Sequence, residues 1–236
     1  MNSQPHNAII LCGGLSTRLG DITKSVPKIL LDIGGKTVLD WQLEKLKSLG
    51  IMDVVLAAGH LSDVLRKEVG EERNGVRLTY AIEPERLGTG GAIKYAMQFL
   101  PNTDLPTWIL NGDILTTIDL RDMAQFLNPA SEGIILGSRV PDASHYGTLE
   151  YTTEYELKAF KEKERIARPG FINGGMYLFT PHAKKYFPEH ASFSIEYDVF
   201  PRMKKLHVYE SDKPWVDIGV PERLQWAREN WGMFAA

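Results

Sequence analysis

The sequence predicts an α/β fold: a single domain, Rossmann-like, with three α/β/α layers around a mostly parallel, mixed central sheet. Three observations predict it. Apolar strand-like segments alternate with amphipathic helical ones through the first half of the 236 residues. The first of those strands runs straight into a pair of adjacent glycines, Gly13-Gly14. The second half then loses most of its helices and reads as one strand after another.

Residues 8–11 form an apolar run expected as a buried first strand. Gly34-Gly35 follows as a tight turn between short extended segments. Residues 38–49 place Leu39, Leu43, Leu46 and Leu49 along one helical face. Strands are then expected at 53–58, 77–82 and 107–110, with helices at 61–69 and 89–100 between them. That alternation makes βαβ units. Ligands of such sheets bind at the carboxyl ends of the strands. Gly13-Gly14 ends the first strand and Asn111-Gly112-Asp113 the fourth, so both should open on one edge. Further strands are expected at 134–138, 147–151, 157–161 and 174–179, with short helices at 181–186 and 197–204. Pro221 opens a final helix to about residue 231, suited to a first helical turn because its missing N–H is not needed there. The second half is expected to extend the same sheet, so residues 1–236 form one domain.

Composition narrows the function. A hydrophobic share of 43%, a charged share of 24% and a net charge of −3 describe an ordinary globular chain. There is no overall basic field for nucleic acid, so no nucleic-acid partner is expected. No apolar run is long enough to span a membrane, and residues 1–7 are too short and polar for a signal peptide. Cys12 is the one cysteine, which excludes an intrachain disulfide and fits a cytoplasmic, reducing setting. No positive partner activates it as a thiolate, so it reads as a small residue at a strand end. The six histidines are scattered, which argues against zinc.

The stretch from Leu11 to Leu19 carries the chemistry. Paired glycines turn the backbone sharply and bring bare N–H groups close to an anion. Thr17 adds a hydroxyl, and Arg18 and Lys28 add positive charge. A polyphosphate needs that combination, because its charge must be cradled by amides and neutralised by side chains. It is not the Gly-x-Gly-x-x-Gly of a dinucleotide fold, since the glycines are adjacent. Nor is Gly35-Lys36-Thr37 a Walker A loop, whose first glycine would fall at Leu30.

The motifs Gly13-Gly14-x-x-Thr17-Arg18-Leu19, Pro27-Lys28, Leu87-Gly88-Thr89-Gly90-Gly91-Ala92 and Asn111-Gly112-Asp113 are followed by Tyr146-Gly147, Glu162-Lys163, Asn173-Gly174-Gly175 and Trp215-x-Asp217-Ile218-Gly219. In this order, from about residue 8 to 231, they resemble the sugar-1-phosphate nucleotidyltransferases. The resemblance implies the nucleotide-diphospho-sugar transferase fold, with a nucleotide-binding half near 8–115 and a sugar-phosphate half near 116–231. It implies attack by a sugar 1-phosphate oxygen on the α-phosphorus of a nucleoside triphosphate, with release of pyrophosphate. Arg18, Lys28 and Asp113 would be catalytic. Leu11, Gly13, Gly14, Thr17, Glu83, Gly88, Thr89 and Gly112 would bind nucleotide. Gly147, Glu162, Lys163, Asn173, Gly174, Glu196 and Asp198 would bind sugar phosphate. Asp113 and Asp217 would hold one magnesium ion, Mg²⁺, a hard cation that takes few protein ligands beside phosphate oxygens. By themselves, Asn111-Gly112-Asp113 is also an ordinary turn, and Asp217 could equally cap the final helix. The run 161–165 also reads as a solvated charged face, and Glu164 stands where the family usually has proline.

Glu83 bears on the base. Guanine presents two adjacent donors, which an acceptor-only carboxylate suits, whereas uracil and thymine suit a glutamine. Several uridylyl- and thymidylyltransferases of the family carry glutamine there, so GTP is expected. The pattern is most similar to the D-glycero-D-manno-heptose 1-phosphate guanylyltransferases, which supply cell-surface polysaccharide synthesis. Mannose 1-phosphate guanylyltransferases and uridylyltransferases acting on N-acetylmuramate or glucose 1-phosphate are the alternatives. A non-catalytic nucleotide-binding relative is the rival of another class, and a homo-oligomer is compatible with all of them. The chain ends before a left-handed β-helix could follow, so no fused acyltransferase is expected.

Overall fold

The computed structural model describes residues 7–14, 17–161 and 167–235. The first half contains β1 (Asn7–Leu11), β2 (Asp32–Ile33), β3 (Lys36–Thr37), α1 (Val38–Ser48), β4 (Asp53–Ala58), α2 (Ser62–Val69), β5 (Glu72–Arg73), β6 (Val76–Ile82), α3 (Gly88–Ala96), β7 (Thr107–Asn111) and β8 (Ile114–Thr116). The second half adds α4 (Leu120–Gln125), β9 (Gly133–Val140), β10 (Thr148–Tyr151), β11 (Leu157–Lys161), β12 (Gly170–Phe179), β13 (Leu206–Ser211), β14 (Trp215–Asp217) and α5 (Pro221–Glu229).

The main sheet runs β11-β10-β12-β7-β1-β4-β6-β5, with β9 on β12 and β13 on β9. Pairings β7–β1, β1–β4 and β4–β6 are parallel, as strand–helix alternation requires. Antiparallel β12 joins β7 and carries the second half onto the same sheet. Its two faces bury separate cores. On β1, Ala8 and Ile10 face the core shared with Leu39, Leu43 and Leu46 of α1 and Leu224 of α5. Ile9 faces the other, beneath Ile93 and Ala96 of α3 and Phe200. This is the three-layer arrangement expected from the alternation.

Helix α1 shows how sequence dictates a local element. Thr37 caps it by accepting from Asp40 N at 3.2 Å, while the Asp40 carboxylate accepts from Thr37 N at 2.9 Å. Asp40 also accepts a two-pronged pair from Arg73 at 2.6 and 2.8 Å, tying the helix start to β5. Burial works against its charge, but the hydrogen bonds from Arg73 and Thr37 outweigh this and hold its carboxyl well below the usual range.

Several elements differ from expectation. The 89–100 helix stops at Ala96 and tightens into a 3₁₀ turn over Met97–Phe99. The 197–204 helix is a π turn, Ile195–Val199, continued by a 3₁₀ turn, Phe200–Arg202, because Pro201 cannot donate an i→i−4 bond. The final helix ends at Glu229, and Trp231–Phe234 is a separate turn. Strand β12 begins at Gly170 and carries a bulge between Asn173 and Tyr177, so the Asn-Gly-Gly motif lies inside it. Unanticipated altogether were β8, β13, β14 and α4, which are too short or too mixed for a periodic signal.

Candidate active site

The carboxyl ends of β1 and β7 meet directly. Gly112 N donates to Leu11 O at 2.8 Å, and Cys12 N donates to Ala57 O at 2.9 Å. Between these strand ends and the start of α3 opens a cleft of about 300 Å³. Leu11, Gly13, Gly14, Glu83, Gly88, Thr89 and Gly112 all line it, together with Lys28 and Asp113. Thr17 lies outside this lining, at the start of the 3₁₀ segment Thr17–Thr23.

Two glycines are needed for close approach. A Cβ on Gly13 would sit 2.9 Å from Glu83 Oε1 and 3.1 Å from Gly59 N, so the loop packs onto the carboxylate only without a side chain. Gly88 adopts φ +71°, and its Cβ would meet Phe193 O at 2.6 Å, the carbonyl that accepts from Gly90 N. Glu83 is fixed from the other side by Leu87 N, which donates to Oε2 at 3.1 Å. Burial raises its pKa, while that hydrogen bond and the charge of Arg86 work the other way. Cys12 lies beneath the cleft with its thiol pushed up to about 12 by burial and by the charge of Glu83. That suits an inert thiol and not a nucleophile.

In the same cleft lining, Lys28 Nζ donates to Asp113 Oδ2 at 2.5 Å. Both side chains are about one-fifth exposed, at 19% and 22%, so the pair is reachable from solvent. Strand β14 pairs with β8, setting Asp217 opposite Ile114, and Ile218 N donates to Asp113 O at 2.9 Å. Two aspartates about a hundred positions apart in sequence are thereby brought together, Asp217 at the end of β14 and Asp113 in the turn just before β8. Asp217 does not cap α5, whose N-cap is Val220. Its Oδ1 instead accepts from Gly219 N at 2.9 Å and Arg223 Nη2 at 2.7 Å, and Oδ2 accepts from the Tyr146 hydroxyl at 3.1 Å. Burial and the Asp217 charge push that phenol up to about 12, so it stays a donor.

Among the described residues no group of three or more His, Cys, Asp or Glu side chains could hold a metal. The donor set of Asp113 and Asp217 is two hard carboxylates, which fits Mg²⁺ completed by phosphate and water oxygens and fits no thiol- or imidazole-bound ion.

The residues expected on the sugar side are spread around β12. Gly175 adjoins Asn111: its Cβ would lie 2.7 Å from Asn111 Nδ2, so the bulge abuts the Asn-Gly-Asp turn. Asn173 Oδ1 accepts from Gly175 N at 2.9 Å, and its Nδ2 donates to Tyr177 Oη at 2.9 Å. The Gly174 carbonyl accepts from Trp215 Nε1 at 2.9 Å. Gly147 precedes β10 and lies against the backbone of Lys161. Glu196 accepts from Thr89 Oγ1 at 2.8 Å, linking its turn to the first turn of α3, whereas Asp198 accepts from Ser194 N and serves that turn locally. Glu162 and Lys163 lie outside the described residues.

Motif reading passed over three side chains here. Gln42 of α1 donates through Nε2 to Asn111 O at 2.8 Å and Ile114 O at 3.0 Å, bracketing the Asn-Gly-Asp turn. Its signal was a polar residue on the buried face of an amphipathic helix. Arg223 lies only six positions after Asp217 but belongs to no motif, and the motif pair Tyr146-Gly147 does not reveal that the Tyr146 hydroxyl reaches a partner 71 positions away.

A fold with this strand order, a glycine-walled cleft at the parallel strand ends and a lysine–aspartate pair in its lining belongs to a nucleotide-handling enzyme class. Residues 7–231 match the nucleotidyl transferase family, and the chain belongs to it. Members of that family generally use a divalent metal. The chain is 38% identical over 217 residues to the D-glycero-alpha-D-manno-heptose 1-phosphate guanylyltransferase of Campylobacter jejuni, covering 91% of this chain and 95% of that protein. It is 36% identical over 222 residues to mannose-1-phosphate guanyltransferase beta-A of Xenopus laevis, covering 91% of this chain but spanning only 61% of that relative's length. The crystal structure of HddC from Yersinia pseudotuberculosis superposes with a TM-score of 0.83 at 28% identity, over 96% of this chain and 99% of that one. The same protein complexed with GMP-PN superposes with a TM-score of 0.82 at 29% identity, over the same shares of the two chains. Among the described residues no helix is long and apolar enough to cross a membrane.

Proposed function

We propose that this protein transfers GMP from GTP to a sugar 1-phosphate, D-glycero-D-manno-heptose 1-phosphate before others, and releases pyrophosphate. The observation that carries the reading is that one cleft is lined both by Glu83 and by the Lys28–Asp113 pair. The similarity to the Campylobacter heptose enzyme over nearly its whole length supports the sugar. The similarity to the Xenopus mannose enzyme keeps mannose 1-phosphate as the second reading. The continuous β7–β12 pairing supports treating both halves as one catalytic unit.

In this reading guanine lies against Glu83, whose carboxylate accepts from N1–H and the N2 amino group. The amides of Gly13 and Gly14 and the Arg18 guanidinium hold the triphosphate. Lys28 leaves Asp113 for the α-phosphate, where charge builds as the sugar phosphate oxygen forms its new P–O bond. The bond from the α-phosphorus to the bridging oxygen breaks, and pyrophosphate leaves. Asp113 and Asp217 would hold Mg²⁺, which supplies positive charge to phosphate oxygens when bound. Gly147, Asn173, Gly174, Glu196 and Asp198, with Glu162 and Lys163, would orient the acceptor. No protein nucleophile is required, which agrees with the inert thiol of Cys12 and with a reducing cytoplasm as the place of work.

The test is pyrophosphate release with Mg²⁺ across GTP, UTP, dTTP, CTP and ATP against heptose, mannose, glucose and N-acetylated sugar 1-phosphates. Release with GTP and heptose 1-phosphate is expected. Release with another pair moves the substrate, and silence with nucleotide still bound points to a non-catalytic relative.

A further inference from the structure

Both candidate metal aspartates are held by cations of the chain. Asp113 is paired with Lys28 at 2.5 Å and Asp217 with Arg223 at 2.7 Å. The second pair is the more firmly built. Arg223, in the first turn of α5, donates through Nη2 to Asp217 Oδ1 and through Nε to Asp217 O at 2.9 Å. Its guanidinium lies over the Tyr146 ring at 5.5 Å, and the Asp217 side chain is only 14% exposed. Arg18 approaches the same spot. A Cβ placed on Gly219 would lie 3.6 Å from Arg18 Nη2, 3.8 Å from Arg223 Nη2 and 2.8 Å from Asp217 Oδ1. Two carboxylates are therefore attended by three cationic side chains, Lys28 on Asp113 and Arg223 with Arg18 by Asp217, one positive charge more than the two aspartates carry.

That balance disfavours a bare divalent cation, which would have to enter a positive site and break an ion pair. It favours a cation that arrives on a polyphosphate, whose negative charge accepts the displaced side chains.

We propose that Arg223 is a resident counter-cation of Asp217, exchanged for the divalent metal when metal and nucleotide enter together, and that the released guanidinium joins Arg18 on the polyphosphate. This rests on the guanylyltransferase reading above. Arg223 acts on the metal through Asp217, as a positioning residue in the free protein, and touches substrate only after the exchange.

The experiment measures Mn²⁺ binding to the full chain by electron paramagnetic resonance, with and without the non-hydrolysable analogue α,β-methylene-GTP, for wild type, Arg223→Met and Arg223→Lys. Without nucleotide, Arg223→Met should bind Mn²⁺ about tenfold tighter than wild type, since one adjacent positive charge is removed. With Mn²⁺ present, the same variant should bind the analogue about tenfold more weakly, and lysine should restore part of that loss. Unchanged or weaker Mn²⁺ binding by Arg223→Met, with analogue binding by wild type intact, overturns the exchange alone. If Arg223→Met does not fold, Arg223→Lys decides. Its single ammonium cannot grip both Asp217 oxygens, so Mn²⁺ binding should tighten a few-fold, and no tightening overturns the proposal. Failure of wild type to bind the analogue at all overturns the guanylyltransferase reading and the exchange with it.

Discussion

Lys28 and Glu83 both line one cleft and should fail in different ways. Lys28 reaches Asp113 from a turn that Pro27 opens, and in the free chain its charge is stored on that carboxylate. Lys28→Met should lower kcat by about 10²–10³ with GTP binding largely kept, as expected for a group that neutralises transition-state charge. Single-turnover rates beside analogue affinity check this, and near-normal turnover removes the assignment. Glu83 is pinned by Leu87 N and packed onto Gly13, so its acceptor face is preorganised. Glu83→Gln should reduce the GTP:UTP ratio of kcat/KM by roughly tenfold or more, because one acceptor becomes a donor facing a guanine donor. An unaltered ratio would move base choice to the backbone.

Among the elements, α1 does more than cover the sheet. Its polar Gln42 is buried at 2% exposure and bonds the carbonyls on both sides of the Asn-Gly-Asp turn. The Gln42 Oε1 has no hydrogen-bond partner among the described residues. Gln42→Met would lose two hydrogen bonds yet relieve one buried unpartnered acceptor. Unfolding free energy should nonetheless fall by about 1–3 kcal/mol, because the Asn111 and Ile114 carbonyls lose their donor. Turnover should also fall about tenfold, because the turn carrying Asp113 loses its brace. Denaturant melts beside steady-state kinetics separate the two effects, and loss of stability without loss of turnover would assign Gln42 to the core alone.

Across the whole molecule, the second half is fastened by polar as well as apolar contacts. Glu132, at the entry to β9, accepts from Lys185 Nζ at 2.6 Å, Tyr186 Oη at 2.7 Å, Lys204 N at 2.9 Å and Lys205 N at 3.1 Å. Burial opposes its charge, but the Lys185 and Tyr186 hydrogen bonds and the Lys205 amide outweigh this and bring its pKa down to about 2. A depressed carboxylate stabilises the fold fully above its ordinary 4.5 and loses that contribution as pH falls toward 2. Glu132→Gln should cost about 1–3 kcal/mol at neutral pH. The difference from wild type should shrink toward zero by about pH 2, and urea melts across that range check it. A gap that does not change with pH would show that the ionised carboxylate is not what fastens these segments.

Much of this was legible in one dimension. The continuous apolar runs of β1, β4 and β7 mark strands buried on both faces, β6 alternates with period two, and the leucines of α1 follow the 3.6-residue period of a helix. The adjacent glycines, Thr17, Arg18 and Lys28 point to a polyphosphate because that chemistry is local to one loop and its neighbour, and the structure puts Gly13, Gly14 and Lys28 in the cleft lining but Thr17 outside it. Only the tertiary structure decided the rest. That Asp217 lies beside Asp113 depends on the β14–β8 register, and that Gln42 and Arg223 attend those aspartates depends on how α1 and α5 pack. Short strands such as β8 and β14 exist because they find each other across the fold, and a three-residue segment has too little local free energy to declare itself. Periodicity is a property of neighbouring residues, whereas a site built from distant carboxylates and their counter-cations exists only once loop closure has been offset by burial of the two cores.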